Sequence, residues 1–391
     1  MRAHSLAAQV FWVSAALVVY TYLLYPLLLA WWARRLSQSP QQRPADPAFQ
    51  GTFSIVMCAH NEAARLAERL AELQRRVGAS CRTGEIIVVS DGSTDDTGAI
   101  AHEAGAGVRV LELSTNVGKA RALTLGCAEA RGDVLVMADV RQRWAAETLE
   151  MLLDNFSRPE VGAVSGELVL ESSPGTLSGV GLYWRYEKWI RHNEGIVNST
   201  VGVSGSIAAV RRTLFKPIPQ GIVLDDLYWP MQVVLGGSRV IHDAGAMAFD
   251  RLPPRPQDEL RRKIRTLSGN FQLLAALPAT LVPIRNPVWI QFISHKVLRL
   301  LVPWLLIALF ITSAAMTGTF LRLAFWGQVL LYSIAVTNLT GVPGFQSRLA
   351  ATFSSFVLLN VAAWIGFWVW ISGGTGRSWR KTEYQRPGQL K

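Results

Sequence analysis

Two aspartates stand directly after apolar runs, where buried strands would end. Asp91 follows Ile86 to Ser90, and Asp139 follows Val134 to Ala138. In α/β proteins, ligands bind at the carboxyl ends of the strands. There Asp91 can accept a hydrogen bond from a nucleobase, and Asp139 can bind a divalent cation between diphosphate oxygens. The competing interpretation of "SDGSTDDT" is an ordinary strand-to-helix turn, in which Gly92 permits the tight turn and the acids cap the next helix.

A glycine and a lysine open a predicted helix further along the chain. The segment "NVGKARALTLG" places Gly118 and Lys119 at this helix start. Backbone N–H groups at the start of a helix bind phosphate. The segment is not a P-loop, because no glycine stands five residues before Gly118. The alternative is a solvated surface lysine.

Charged pairs follow in the second half of the chain. Asp225 and Asp226 precede a helical stretch, where one carboxylate can deprotonate an acceptor hydroxyl. They can also be simple helix caps. Arg262 and Arg265 lie three residues apart on one predicted helix face, where two guanidinium groups can bind a leaving diphosphate. A basic, membrane-facing helix is the competing interpretation.

The elements that would position these residues alternate in type. Short apolar runs typical of buried parallel strands separate segments with helical spacing, such as Leu66, Leu70 and Leu73. This pattern predicts an α/β fold with a mainly parallel sheet. The predicted strands are "FSIVMCAH", "EIIVVSD", "VRVLEL" and "DVLVMAD", and the predicted helices are "EAARLAERLAELQRR", "GKARALTLGCAEARG" and "AAETLEMLLDNF".

Both ends of the chain carry membrane-length apolar stretches. Residues 10–32 are uncharged and match the roughly 20 residues that a spanning helix needs. Arg34 and Arg35 would hold the far end of this helix in the cytoplasm. Three further stretches, at 297–317, 324–340 and 349–371, can also span. One span before and three after a cytoplasmic domain would place the basic tail outside, so either one segment only enters the bilayer or the tail departs from the positive-inside rule.

The composition supports a membrane protein over a nucleic-acid binder. Half of the residues are hydrophobic and 17% are charged, against roughly 25% charged in soluble domains. The net charge is +11, but many of the basic residues flank apolar runs. That arrangement is typical of a cytoplasmic membrane face. The sequence contains no separate basic and aromatic cluster of the kind that binds nucleic acid.

Taken together, the motifs of residues 50–275 are similar to those of glycosyltransferase family 2. The matching segments, in order, are "FSIVMCAHNEA", "SDGSTDDT", "NVGKARAL", the strand-end Asp139, "GVSGSIAAVRR", "LDDLYWPM" and "RRKIRT". The resemblance implies a GT-A fold and inverting transfer from a nucleotide-activated sugar, commonly with Mg or Mn. The flanking membrane helices resemble the polysaccharide-synthase and glycolipid branches of the family.

The resemblance also implies roles for individual residues. Asp226 matches the general base, and Asp139 matches the first metal-binding acid of the D-x-D motif. The residues expected to bind the donor are Asn61, Glu62, Asp91, Gly92, Lys119, Asp139, Arg262 and Arg265. The residues expected near the acceptor are Ser204, Gly205, Ser206, Asp225 and Trp229. Trp144, Trp184 and Tyr228 are further aromatic residues that could stack on a sugar or lie in the core.

Two positions depart from the family pattern. Arg141 replaces the second acid of D-x-D, so one metal ligand is missing or comes from elsewhere. We hypothesise that Arg141 supplies fixed positive charge near the diphosphate. The segment from Arg262 to Thr266 lacks the Gln and Trp of the Q-x-x-R-W motif, which argues against synthesis of long chains.

These observations predict a membrane-embedded, inverting glycosyltransferase at a bacterial inner membrane, with its catalytic domain in the cytoplasm. The expected donor is a UDP-sugar and the expected acceptor is lipid-linked or a saccharide, with no nucleic-acid partner. A polyprenyl-phosphate sugar synthase and a non-catalytic, nucleotide-binding membrane scaffold are the alternatives. The expected organisation is an anchor at 8–33, a GT-A domain at 50–275, an interfacial segment at 276–296, membrane helices at 297–372 and a basic tail at 373–391.

Overall fold

The computed structural model describes residues 2–37, 49–171, 178–251, 256–340 and 347–375. Most of the residues between the predicted anchor and the GT-A domain, and most of the predicted basic tail, lie outside these ranges. The strands are β1 (Phe53–Ala59), β2 (Gly84–Asp91), β3 (Val108–Leu113), β4 (Val134–Ala138), β5 (Arg143–Trp144), β6 (Val161–Glu171), β7 (Ile207–Arg211) and β8 (Arg239–Arg251). The helices are α1 (Arg2–Val19), α2 (Tyr25–Ser37), α3 (Ala63–Ala79), α4 (Thr97–Glu103), α5 (Lys119–Glu129), α6 (Thr148–Asp154), α7 (Ser178–Val197), α8 (Asp225–Leu235), α9 (Pro256–Ala276), α10 (Trp289–Phe292), α11 (Leu298–Ala315), α12 (Thr319–Leu339) and α13 (Arg348–Ile371).

The strands form one mixed sheet in the order β3-β2-β1-β4-β7-β6-β8-β5. Pairing is parallel from β3 through β4, antiparallel between β4 and β7 and between β7 and β6, and parallel again between β6 and β8. β1, β2 and β4 therefore end along the same edge. The side chains that follow them meet there. The mostly parallel α/β fold expected from the sequence is confirmed.

The hydrophobic core covers both faces of the sheet. Alternate residues of β1 point to opposite faces, so Ile55 packs beneath α3 while Val56 packs against α5. Leu66, Leu70 and Leu73 of α3 are all buried, as their helical spacing predicted. This double packing explains why the strands are almost continuously apolar. It also holds their polar ends at one fixed edge.

Four helical segments of the described residues are long and apolar enough to cross a membrane. They run Ser5–Ser37, Trp289–Ala315, Thr319–Leu339 and Leu349–Ile371. The first joins α1 to α2 through the π-helical turn Tyr20–Leu24, and the second joins α10 to α11 through the turn Ile293–Val297. One N-terminal and three C-terminal helices agree with the sequence prediction. The second segment begins eight residues before the predicted start at 297, and its early part contains His295 and Lys296.

A buried ionic cluster explains why the apolar segment Trp289–Ala315 can contain charged side chains. His295 Nε2 lies 2.7 Å from Glu187 Oε1, and its Nδ1 lies 2.8 Å from Glu194 Oε1. Arg299 Nη1 donates to Glu187 Oε2 at 2.6 Å, and Tyr25 Oη donates to Glu194 Oε1 at 2.9 Å. The acids belong to α7, so this helix of the sheet domain contacts both the N-terminal and the C-terminal candidate membrane segments. A charge is tolerated in such a helix when it is paired inside the protein.

We expect Glu187→Gln to lower the free energy of unfolding by roughly 3–5 kcal/mol, because it leaves buried cations without their counter-charge. The measurement is thermal unfolding in detergent. Glu171→Gln is the matched control, since Glu171 pairs with Arg143 at an exposed position, where such pairs contribute at most about 1 kcal/mol. Equal unfolding temperatures for the two variants would contradict the prediction.

Candidate active site

Asp91 holds the loop that begins α5. Its buried carboxylate accepts hydrogen bonds from Val117 N at 2.7 Å and Gly118 N at 3.0 Å, while its carbonyl accepts from Asn116 Nδ2 at 3.2 Å. Gly92 has a φ of +59°, and a β-carbon there would lie 2.2 Å from Asn116 N. Only glycine allows this approach. The end of β2 thereby fixes the position of the predicted phosphate loop.

Asn61 and Glu62 join the end of β1 to the loop after β2. Asn61 adopts a left-handed backbone conformation, and its Oδ1 accepts from Thr94 N at 2.7 Å. Glu62 N donates to Thr97 Oγ1 at 2.8 Å. Asn is among the few residues that tolerate this conformation. These bonds bring Asn61 and Glu62 to the edge of the sheet where Asp91 lies.

Lys119 and Asp139 meet at the ends of α5 and β4. Lys119 Nζ lies 2.9 Å from Asp139 Oδ1, and both side chains are about a quarter exposed, at 29% and 26%. Burial by itself would lower the pKa of Lys119. The carboxylates of Asp139, Asp225 and Asp226 outweigh this effect and raise the pKa above its usual value. Lys119 is therefore a fixed positive charge among three acids.

Asp226 points toward the same place from the start of α8. A β-carbon on Gly205 would lie 3.7 Å from Asp226 Oδ2 and 3.7 Å from Lys119 Nζ. The two charged groups therefore flank one point above Gly205. A β-carbon there would also lie 3.1 Å from the β-carbon of Asp226, closer than ordinary van der Waals contact. The glycine keeps open the space between the acid and the lysine.

The environment of Asp226 raises the pKa of its carboxyl group toward neutral pH. Burial and the adjacent Asp225 raise its pKa to about 6, against the opposing charges of Lys119, Arg191 and Arg265. A carboxylate with a pKa close to the working pH suits general base catalysis. Arg191 of α7 was not anticipated from the sequence. No local motif marks it, and only the packing of α7 beside the site brings its charge within reach.

The run from Gly202 to Ser206 lies against the start of α8. Val203 N donates to the Asp226 carbonyl at 2.9 Å, and Ser204 N donates to Ser165 Oγ at 3.0 Å. Ser206 is buried, and its carbonyl accepts from Trp144 Nε1 at 3.3 Å. The predicted acceptor segment thus borders Asp226, and hydrogen bonds hold its backbone on both sides.

One predicted acceptor contact is wrong. Trp229 is only 1% exposed and packs against Phe215, so a sugar ring cannot reach its face. Its indole belongs to the hydrophobic core that packs between α8 and the sheet. Trp144 and Tyr228 are also buried, in agreement with the core alternative. Asp225 is 7% exposed and acts on the site through its charge.

The arginines of the predicted donor site have different surroundings. Arg262 Nη2 lies 2.8 Å from Glu259 Oε2, whereas the charge of Arg265 acts on Asp226. Arg141 Nη2 lies 3.5 Å from Asp250 Oδ2 in β8, an acid that the sequence did not single out. The charge of Arg265 therefore acts on Asp226, whereas Arg262 and Arg141 are paired with other acids.

The protein groups that could bind a metal ion fit a cation that is also bound by a substrate. Among the described residues no group of three or more His, Cys, Asp and Glu side chains is arranged to hold a metal ion. Mg²⁺ is commonly bound by one or two carboxylates together with substrate phosphates. Asp139, partly exposed at the end of β4, can supply such a ligand. In the part of the chain that the structure describes, the protein does not form a complete metal cage on its own.

Known proteins resemble parts of this chain. A model for glycosyl transferase family 2 matches residues 54–218. Dolichyl-phosphate beta-glucosyltransferase of Drosophila melanogaster is 41% identical over 97 residues, which cover 22% of this chain and 30% of the relative. Poly-beta-1,6-N-acetyl-D-glucosamine synthase of Staphylococcus aureus is 23% identical over 238 residues, which cover 57% of this chain and 55% of the relative. The matched region thus spans between about a third and about half of these relatives.

A solved structure extends the likeness to nearly the whole chain. The mannosyltransferase PcManGT from Pyrobaculum calidifontis, in complex with GDP-Man and Mn2+, superposes with a TM-score of 0.67 at 21% identity, covering 93% of this chain and 99% of that one. At this identity the likeness shows the fold, and it confirms the GT-A architecture. Residues 54–218 thus resemble glycosyltransferase family 2, as the sequence motifs predicted.

Proposed function

We propose that this protein transfers a sugar from a nucleotide-sugar donor to a lipid-linked or saccharide acceptor, with inversion at the anomeric carbon. The observation that carries the proposal is the convergence of Lys119 and Asp226 over Gly205, beside Asp139. A cation that can bind the diphosphate and a carboxylate that can serve as the base both lie 3.7 Å from one point. Inverting transfer needs a base at the acceptor hydroxyl and positive charge at the leaving diphosphate.

The donor would lie along the edge formed by the ends of β1, β2 and β4. The nucleobase would contact Asn61, Glu62 and the Asp91–Gly92 turn, and a UDP-sugar is the proposed donor. Lys119 and the loop held by Asp91 would bind the diphosphate. Asp139 would hold Mg or Mn together with the diphosphate, and the ion would supply Lewis-acid stabilisation of the leaving group.

Chemistry in this arrangement is a single displacement. Asp226 accepts the proton of the acceptor hydroxyl as the hydroxyl oxygen bonds to the anomeric carbon. The bond from that carbon to the diphosphate oxygen breaks on the opposite face, and the nucleoside diphosphate takes the electron pair. Lys119 and Arg265 stabilise the charge that develops, which fixed charges in a poorly solvated site do well.

Stereochemistry tests this proposal. A purified sample given an α-linked sugar nucleotide and a suitable acceptor should form a β-linked product, read from the anomeric proton coupling in NMR spectra. One displacement inverts the configuration once, whereas two successive displacements would restore it. An α-linked product would contradict single displacement at Asp226.

We expect kcat/KM to fall as pH drops through about 6, because protonated Asp226 cannot accept the acceptor proton. The loss should be close to tenfold for each pH unit well below that value, as expected for one essential base. The measurement is the pH profile of acceptor-dependent transfer, with donor affinity measured across the same range. A flat profile between pH 5 and 8 would contradict the assignment.

A second candidate is sugar transfer to a polyprenyl phosphate. It is favoured by the relative from Drosophila melanogaster, a dolichyl-phosphate beta-glucosyltransferase. An ionised phosphate needs no general base, so Asp226→Asn should then retain activity. A non-catalytic scaffold is less well supported. A carboxyl group whose pKa is raised beside a nucleotide-binding loop is typical of a catalytic site, and a scaffold does not require one. Sugar-nucleotide turnover by purified protein would exclude it.

The proposed location is a bacterial inner membrane, with the GT-A domain in the cytoplasm. Arg34 and Arg35 are exposed at the end of α2, next to that domain. Four candidate spans flank it among the described residues. Basic residues at the end of a span favour the cytoplasmic side. Protease accessibility of the domain in sealed vesicles would test this orientation.

A further inference from the structure

One face of α9 contacts the segment that leads into Asp226. Arg265, Gly269 and Gln272 stand four and then three residues apart, so they lie on the same face of this helix. The charge of Arg265 acts on Asp226. The other two residues contact the loop of residues 218–224, which ends where α8 begins. This face of α9 therefore borders the proposed base and the chain just before it.

Gln272 bonds to the loop before α8 with both polar atoms of its amide. Its Oε1 accepts from Val223 N at 3.0 Å, and its Nε2 donates to the Gly221 carbonyl at 2.8 Å. An amide offers one acceptor oxygen and one donor nitrogen, so this single side chain satisfies a backbone donor and a backbone acceptor together. The two bonds fix the loop two residues before Asp225, the first residue of α8.

Gly269 allows the end of this loop to lie directly against α9. A β-carbon on Gly269 would lie 2.7 Å from Leu224 Cγ, well inside ordinary van der Waals contact. Leu224 is buried and directly precedes Asp225. Its carbonyl accepts from Tyr228 N at 2.9 Å, the first hydrogen bond of the α-helical type in α8. The residue that packs on α9 is therefore also the one on which α8 begins.

A second face of α9 packs on α13, which is one of the candidate membrane spans. A β-carbon on Gly366 of α13 would lie 2.9 Å from Ser268 N, so the two helices are in direct contact at their backbones. Phe271 stacks on Trp370 of α13, with ring centroids 5.8 Å apart. α9 is thus held between a candidate membrane helix and the loop that leads into Asp226.

We propose that Gln272 is a positioning residue for Asp226. By bonding the loop before α8 at two backbone groups, it sets where the carboxylate of Asp226 stands relative to the point above Gly205, and α13 supports α9 from the other side. A base acts only within hydrogen-bond reach of the proton it accepts, and a displacement of about 1 Å can cost roughly 100-fold in rate. The inference rests on the proposed function, because it concerns the same base.

Gln272→Met removes both hydrogen bonds and keeps the length of the side chain. We expect kcat for transfer to fall roughly 10- to 100-fold, as for a base displaced by up to about 1 Å. The KM for the acceptor and the Kd for the donor should change little, because the groups proposed to bind the donor keep their contacts. Gln74→Met is the matched control, since Gln74 also donates to a backbone carbonyl, in a contact between α3 and the end of α4.

Gly366→Ala tests the same arrangement from the side of α13. The new methyl group would meet the backbone of Ser268, so α9 must shift and should move the loop before α8 with it. We expect a smaller fall in kcat, again without loss of donor affinity. Gly327→Ala is its matched control, because Gly327 also lies in a candidate membrane helix and a β-carbon there would meet no heavy atom within 4 Å in the described part of the chain.

Amide hydrogen exchange of the detergent-purified full chain measures the loop without turnover. In Gln272→Met, exchange should become faster at Val223, whose N–H loses its acceptor, and at the start of α8, but not in β1 or β4. Unchanged exchange at Val223, or faster exchange with native kcat, would overturn the proposal. If Gln272→Met does not fold, equal kcat in Gly366→Ala and Gly327→Ala would overturn it. Failure of the proposed function is distinguishable, because the exchange response would remain while native protein turned over no sugar nucleotide.

Discussion

Asp226→Asn is expected to reduce sugar transfer by roughly 10²–10⁴-fold, the usual contribution of a positioned general base. The amide keeps the size of the side chain but cannot accept the acceptor proton. The pKa of about 6 means that the native carboxylate is ionised at neutral pH and is still basic enough to act. Donor affinity should change little, because Lys119, Asp139 and the loop held by Asp91 remain. The measurements are kcat/KM for transfer and the Kd for the donor.

The unfolding temperature of Asp226→Asn distinguishes loss of the catalytic base from misfolding. A raised pKa means that the folded state favours the neutral form of Asp226, so this contribution to stability is present at low pH and is lost as pH rises through about 6. Asp226→Asn should therefore raise the unfolding temperature at pH 8 and leave it nearly unchanged at pH 4. An inactive variant that is less stable than the native protein at pH 8 would point to misfolding.

Asp225→Asn is the matched control for this substitution. Asp225 is also buried at the start of α8, and its charge raises the pKa of Asp226. Removing that charge should move the acidic limb of the pH profile to lower pH and retain much of the transfer at pH 8. Full turnover in Asp226→Asn with a hydroxyl acceptor would contradict the assignment of the base.

Lys119→Met is expected to lower kcat/KM by roughly 10²–10³-fold, as for loss of one group that stabilises the leaving charge. The ammonium is the cation between Asp139 and the point above Gly205. Its loss removes the positive charge that offsets the carboxylates of Asp139, Asp225 and Asp226. Donor affinity should fall as well. Because Lys119 opposes the rise in the pKa of Asp226, the acidic limb should move to higher pH, opposite to the shift in Asp225→Asn.

Lys216→Met is the control for Lys119→Met, since it removes one exposed lysine outside the site. Calorimetry of donor binding and the pH profile of transfer measure the two expected effects. Unchanged donor affinity together with an unshifted pH profile in Lys119→Met would remove Lys119 from the site.

The parallel half of the sheet could be predicted from the sequence because its signals are local. β1, β2 and β4 are short apolar runs, and each is followed by the polar residues that matter. The spacing of Leu66, Leu70 and Leu73 predicted α3. Since parallel strands end at one edge, the meeting of Asp91, Lys119 and Asp139 followed from the order of the elements.

Long-range pairing accounts for what could not be predicted. β6 and β8 run side by side in parallel, and β7 runs antiparallel between β4 and β6. No local sequence pattern predicts these pairings. His295 contacts Glu187, 108 residues earlier in the chain, so no local pattern could show that its ring is paired and buried. For Trp229 the sequence predicted a place near the acceptor, and the structure buries it. Its proximity in sequence to Asp226 does not bring its ring to the site.

Acceptor-dependent release of nucleoside diphosphate tests the central claim most directly. Detergent-purified protein would be given a panel of sugar nucleotides, with and without a membrane lipid extract, in Mg, in Mn and in EDTA. We predict release from one donor that rises sharply with the extract and falls in EDTA, because Asp139 shares its cation with the diphosphate. Persistent release in EDTA would assign the metal's role to the protein cations. No release from any donor, with the extract present, would contradict the proposal that the chain is an active glycosyltransferase.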